Sequence, residues 1–188
     1  MASEIVLVRH GETEWSRAGK HTGSTDVPLT ERGREQAAAL AGALREWSFE
    51  RALTSPLRRA AETAELAGFP DAERRDELRE WDYGAYEGRR TDEIREERPG
   101  WSLWTDGVPE GETAVELAAR LDRVLADLAG TEGAAVLFAH GHSLRVLAAR
   151  WLGLEPAAGR LLALDPATVG VLGRERETQV LRRWNAPA

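Results

Sequence analysis

Two histidines of this chain stand in the same local setting. Val8-Arg9-His10-Gly11 and Phe138-Ala139-His140-Gly141 each close a short apolar run. Imidazole is the side chain whose ordinary pKa lets it serve as nucleophile, base or acid near neutral pH. Arg9 precedes the first histidine, and a helix expected soon after the second turns its positive end toward the same place. Two imidazoles, a guanidinium and a helix N-terminus compose an anion site. The glycine after each histidine lets backbone approach a ligand closely. A lone histidine at a strand end is more often packed structure than catalyst, so it is the pairing that favours chemistry. The competing reading, a two-histidine metal site, needs a third ligand and an open position, and Arg9 disfavours a cation there.

The elements that must position these residues alternate strand and helix. Ile5–Val8, Ala52–Thr54 and Ala134–Ala139 read as short strands buried on both faces. The polar stretch from His10 to Leu29 reads as a long loop, a type that is usually functional inside a compact domain. Thr30 with Glu31 opens a helix whose apolar positions are Ala37, Leu40, Ala41, Leu44 and Trp47. Ser55-Pro56 starts a helix over 57–66, Thr113 starts one reaching Leu128, and another covers 143–152. Short helical pieces fall at 91–97 and 101–104, an extended piece at 77–80, and an irregular Gly-containing segment at 83–88. Residues 168–173 and 178–184 alternate and read as a hairpin at a sheet edge. The expected fold class is α/β, three layers in α/β/α order around a mostly parallel sheet. All 188 residues are read as a single domain.

Composition narrows the function classes. With no cysteine, thiol nucleophiles, thiolate metal sites and disulfides are out. The net charge of −7 argues against nucleic acid or an anionic membrane as partner. No apolar run is long enough to span a bilayer, and the N-terminus lacks the features of a secretory signal, so the expected location is cytoplasmic. An anionic substrate is repelled at long range by such a chain, so its site must concentrate positive charge locally. Lys20 is the only lysine; arginine supplies the rest, and its planar fork suits oxyanions.

Leu7-Val-Arg9-His10-Gly11-Glu12-Thr13 resembles the signature of the histidine phosphatase superfamily, whose fold is called phosphoglycerate mutase-like. The resemblance runs on through Trp15–Gly23 with Asp26–Thr30, Ser55–Ala60 with Thr63-Ala64, Leu78–Glu80 with Tyr83–Gly88, and Ala139–Arg145. It implies that His10 is the nucleophile and becomes phosphorylated, that Arg9, Arg59 and His140 surround the phosphoryl oxygens, and that Glu80 moves the leaving-group proton. Glu12 is the weaker rival for that last role. Arg58 and Arg59 point about 100° apart on a helix, and the resemblance selects Arg59. Ser16, Thr22, Gly23, Gly141 and His142 are expected at the substrate entrance; His21 is a further candidate there. Trp81, Trp101 and Trp104 are expected in the core. No cofactor and no metal are implied.

The expected activity is hydrolysis of small phosphomonoesters, the substrate being a small phosphorylated metabolite. Within the superfamily the chain looks closest to broad-specificity acid phosphatases and fungal-type sedoheptulose-1,7-bisphosphatases. The alternatives are a phosphoglycerate mutase and a non-catalytic phosphoester-binding protein on the same fold. Against the mutase, the run Trp104-Thr105-Asp106-Gly107 sets an aspartate where a second phosphate needs a cation. Arg89 and Arg90, directly after Gly88, are the nearest alternative source of charge for a second phosphate, if they turn toward the pocket. A homodimer is compatible with this reading.

Overall fold

The computed structural model describes residues 4–188. Six strands form one sheet in the order β3-β2-β4-β1-β5-β6, with β1 at Ile5–Arg9, β2 at Phe49–Thr54, β3 at Glu73–Arg74, β4 at Ala134–Ala139, β5 at Thr168–Glu175 and β6 at Thr178–Pro187. The pairs β1–β4, β4–β2 and β2–β3 are parallel, whereas β5 joins β1 antiparallel and forms a hairpin with β6. The expected hairpin is present, but of its two strands β5 lies inside the sheet and only β6 is an edge strand.

Period-2 alternation along β1 and β4 builds two cores, one on each face. Ile5, Leu7, Ala135 and Leu137 turn toward α6 (Ala114–Leu128) and α7 (Gly141–Trp151), where they meet Leu117, Leu121, Leu144 and Leu147. Val6, Val8, Val136 and Phe138 turn the other way, toward Leu40 of α2 (Glu31–Ala43) and Ala64 of α3 (Arg58–Leu66). The result is the expected three-layer arrangement. Shorter helices, α1 (Glu14–Arg17), α4 (Thr91–Glu97) and α5 (Leu103–Asp106), lie among the connecting segments.

Helix starts follow side-chain caps. Thr30 accepts from the Gly33 amide, and Thr113 and Glu116 form a reciprocal capping box, as their spacing predicts. Three starts differ from expectation, the piece expected at 101–104 being α5 at Leu103–Asp106. α7 begins at Gly141, with His140 at its N-cap, and α3 begins at Arg58. The expected extended piece at 77–80 is a 3-10 turn at Asp76–Leu78, and the edge strand precedes it at Glu73–Arg74. Both residues of that strand are exposed and charged, so no apolar pattern marks it.

Gly11 has a structural use that differs from the one expected. A Cβ on Gly11 would sit 2.2 Å from the Gly33 carbonyl oxygen, and one on Gly33 would sit 2.1 Å from that of Glu12. The loop after His10 thus rests directly on the first turn of α2, backbone on backbone, and the Thr30 amide closes the contact at 2.9 Å to the Glu12 carbonyl. Gly33→Ala should therefore destabilise the protein by about 1–3 kcal/mol through overpacking. Gly42→Ala, on the same helix with nothing within 4 Å, should instead be neutral or stabilise by up to about 1 kcal/mol. Urea unfolding of both variants checks the pair, and equal effects would refute the contact's importance.

Candidate active site

The register of β1 and β4 brings the two histidines together. Arg9 stands opposite Ala139, and the His10 amide donates to the Ala139 carbonyl at 3.0 Å. The two imidazole centroids are 5.2 Å apart. Ser55, the residue after β2, joins them by donating its amide to the Phe138 carbonyl at 2.9 Å.

Hydrogen bonds define the tautomers. His10 Nδ1 lies 2.7 Å from the Gly11 carbonyl oxygen, which can only accept. Nδ1 therefore carries the proton, and Nε2 keeps its lone pair. Burial pushes the His10 imidazole well below its ordinary pKa, with Arg59 and then Arg9 adding like-charge repulsion. His140 Nδ1 accepts from Arg59 Nε at 3.1 Å, so His140 Nε2 holds the proton and donates to Ser55 Oγ at 2.8 Å. Burial, then Arg59, keep His140 neutral as well.

Arg9, His10, Ser16, Thr22, Glu80, Gly141 and His142 line one cavity of about 250 Å³, joined by Lys20, His21, Tyr83 and Arg145. Arg9 Nη1 donates to the Leu164 carbonyl, but its buried Nε has no hydrogen-bond partner among the described residues. A buried donor without a partner is costly, so the guanidinium beside this cavity is not fully satisfied by the protein. A larger cleft, about 480 Å³, reaches the opposite side of Glu80, but Asp76, Asp82, Glu110, Glu112 and Glu116 in its walls repel a phosphoryl group.

Three expected residues stand elsewhere. Arg59 and His140 lie behind the cavity wall, fully buried. Arg59 donates to the carbonyls of Thr22, Gly23 and Thr25 as well as to His140. Gly23 is away from the wall, its amide held by the Glu87 carboxylate at 2.9 Å. Ser16 reaches the cavity, yet its hydroxyl closes the capping box of α1 with Thr13. Glu12 accepts from the Thr30 hydroxyl and orients the loop. Arg58 is an exposed partner of Glu62.

Glu80 changes the expected use of the α7 N-terminus. Its Oε1 accepts from the Trp81 and Ser143 amides at 2.9 and 2.8 Å, and Oε2 from His142 at 3.0 Å. The first amides of the helix thus hold a carboxylate of the protein itself.

His21 and His142 are both drawn into the cavity wall. Tyr83 Oη lies 2.6 Å from His142 Nδ1, and the His21 and Tyr83 rings are 4.8 Å apart. Burial, followed by Arg145, holds His142 well below its ordinary pKa, and burial lowers His21 to about 4. Trp81 and Trp101 are in the core, while Trp104 is partly buried under the Arg145 guanidinium, 4.7 Å away. Lys20 and Arg145 were not singled out as site residues, although signals existed. Lys20 is the only lysine, and Arg145 follows Gly141 by four residues on one helix face.

A family model described as the histidine phosphatase superfamily, branch 1, matches residues 5–187. An acid phosphatase of Mycobacterium tuberculosis is 41% identical over 94% of this chain and 89% of its own length. Sedoheptulose 1,7-bisphosphatase of Saccharomyces cerevisiae is 39% identical over 82% and 69%. The solved structure of an open reading frame from Mycobacterium tuberculosis superposes with a TM-score of 0.95 at 38% identity, covering 100% of this chain and 99% of that one.

The four buried or half-buried histidines make stability depend on pH. Each has a folded pKa below its unfolded value, so on acidification the unfolded chain takes up protons first. Stability should fall as pH drops through about 6.5, the slope approaching about 1.4 kcal/mol per pH unit for each neutral histidine. For His21 the loss continues to about pH 4. Thermal unfolding between roughly pH 7 and 5.5 tests this, and an unchanged Tm would contradict it.

Proposed function

The chain belongs to the histidine phosphatase superfamily and is a phosphoric monoester hydrolase, and from that premise we propose that it works through a phosphohistidine on His10. The observation that supports this most is the His10 tautomer. Gly11 holds the proton on Nδ1, leaving Nε2 as a neutral nucleophile on the wall of a cationic cavity. Nε2 attacks phosphorus and the ester P–O bond breaks. The leaving oxygen takes the proton that Glu80 carries in this step on Oε2, the oxygen with a single amide partner, and Glu80 is left as the carboxylate. Water, giving its proton back to Glu80, then splits the N–P bond. The Arg9 guanidinium, on the cavity wall, supplies positive charge toward the phosphoryl oxygens, and the charge of Arg59 acts from behind. Both His140 nitrogens are occupied by protein partners, so of the two histidines only His10 keeps a free lone pair, one fewer than the two-histidine metal reading needs.

Sugar phosphates and related small metabolites are the substrates in this reading, handled by the whole chain as one domain in the cytoplasm. Arg89 and Arg90 do not provide the cation for a distal group, because Glu97, Asp92 and Glu93 engage them along α4. Lys20 and Arg145 line the cavity, with no carboxylate in salt-bridge range among the described residues. Asp106 stays committed to the Ser102 amide and Thr105 hydroxyl, so the segment that a mutase would need to be basic is acidic.

His10→Ala should lower turnover on the order of 10³-fold or more while leaving the chain folded. Rapid quenching of the unaltered enzyme, in the presence of a chelator, should trap an acid-labile phosphoryl group on His10. Turnover by a folded alanine variant, or a requirement for added metal, would sink the mechanism. Arg145→Gln and Lys20→Gln should raise KM for sugar bisphosphates more than for monophosphates, whereas Arg89→Ala should not. Equal effects on both substrate classes would remove the distal-group role. Efficient conversion of 3-phosphoglycerate to 2-phosphoglycerate would restore the mutase alternative.

A further inference from the structure

We propose that Arg120 is a positioning residue for Glu80, fixing the irregular backbone that carries the carboxylate. The inference rests on the reading of Glu80 as proton donor.

Arg120 lies in α6, and its guanidinium has five N–H donors in a rigid fork. All five are used. Nε and one Nη2 hydrogen bind the two Glu112 oxygens at 2.7 and 2.8 Å. Nη1 donates to the carbonyls of Glu77 and Arg79 at 2.6 and 2.7 Å, and the second Nη2 hydrogen to that of Glu80 at 2.9 Å. The two side chains of the ion pair are only 14% and 15% exposed.

The backbone served in this way has no ladder of its own. Residues 79–83 connect the 3-10 turns at Asp76–Leu78 and Gly84–Tyr86 without helix or strand. Carbonyls in such a segment need partners from elsewhere, and one guanidinium serves two of them, those of Arg79 and Glu80, together with that of Glu77 in the preceding turn. Glu112 closes the arrangement, its own carbonyl accepting from Nε1 of the fully buried Trp81 at 2.7 Å. Residues on either side of Glu80 are therefore tied to α6 and its N-terminal approach, while the carboxylate is tied to α7. α6 sets where the backbone stands and α7 sets where the proton stands. Lysine cannot replace this fork, having a point charge and three donors.

Leaving-group dependence separates positioning from mere stabilisation. In the transfer step the P–O bond to an alkanol breaks only as the oxygen gains Glu80's proton, whereas nitrophenoxide departs without one. For Arg120→Lys and Glu112→Gln, kcat/KM for alkyl phosphates should fall about tenfold or more, against at most about threefold for p-nitrophenyl phosphate. Glu80→Gln is the reference and should show the same selectivity more strongly. Parallel losses on both substrates, or none, in the two positioning variants would overturn the role of Arg120 while Glu80→Gln remains selective. An unselective Glu80→Gln would overturn the reading of Glu80, and the positioning role with it. Should Arg120→Lys fail to fold, Glu112→Gln, which keeps size but loses the charge and one of the two acceptors of the Arg120 fork, decides.

Discussion

Pairing β1 with β4 in parallel, Arg9 opposite Ala139, obliges the chain to leave both strands at the same, carboxyl end of the sheet. Whatever residue follows each strand then stands within a ring's width of the other. Two apolar faces hold this register, because a slip of one residue would turn Ile5 and Leu7 toward α2 and α3, and Val6 and Val8 toward α6 and α7. The 5.2 Å between the His10 and His140 rings is thus a consequence of core packing. The chemistry inherits the precision of the core.

That geometry places Arg9 and Arg59 beside imidazoles in a buried region, which is electrostatically costly. Burial lowers the pKa of both guanidinium groups, opposed chiefly by Glu80 and Tyr83. The arrangement is tolerable because the histidines give up their protons and add no charge. An incoming phosphoryl dianion meets donors already fixed in place, and its charge relieves the repulsion they feel. Positive charge is concentrated where a chain of net charge −7 otherwise offers none to a distant anion.

Much of this was legible in the sequence, for definable reasons. The apolar runs, the capping threonines and the His-Gly repeats are local signals, and each marked its element. Legibility failed where a residue's role depends on a distant partner. Nothing near Gly11 announces the Gly33 carbonyl 2.2 Å from its missing Cβ. Nothing near Arg59 shows that three loop carbonyls share its fork. β3 has two exposed charged residues and is a strand only because Leu53 and Thr54 lie alongside. Charged Arg89 and Arg90 looked available for substrate, since the sequence does not show that α4 turns its acids back onto them.

Arg59 shows how such long-range contacts make the loop and the nucleophile one unit. The 18 residues between His10 and Leu29 have little structure of their own beyond the single turn of α1. They are fixed at several places, three of which are on α2 through Gly33, on Glu87 through the Gly23 amide, and on Arg59 through their carbonyls. The third anchor also holds His140 Nδ1. A shift of the loop that loosened its carbonyls would therefore free the Arg59 fork and disturb the His140 tautomer together. Charge, tautomer and loop position are coupled through one side chain, which explains why a guanidinium aligned with a phosphate motif spends its donors on backbone.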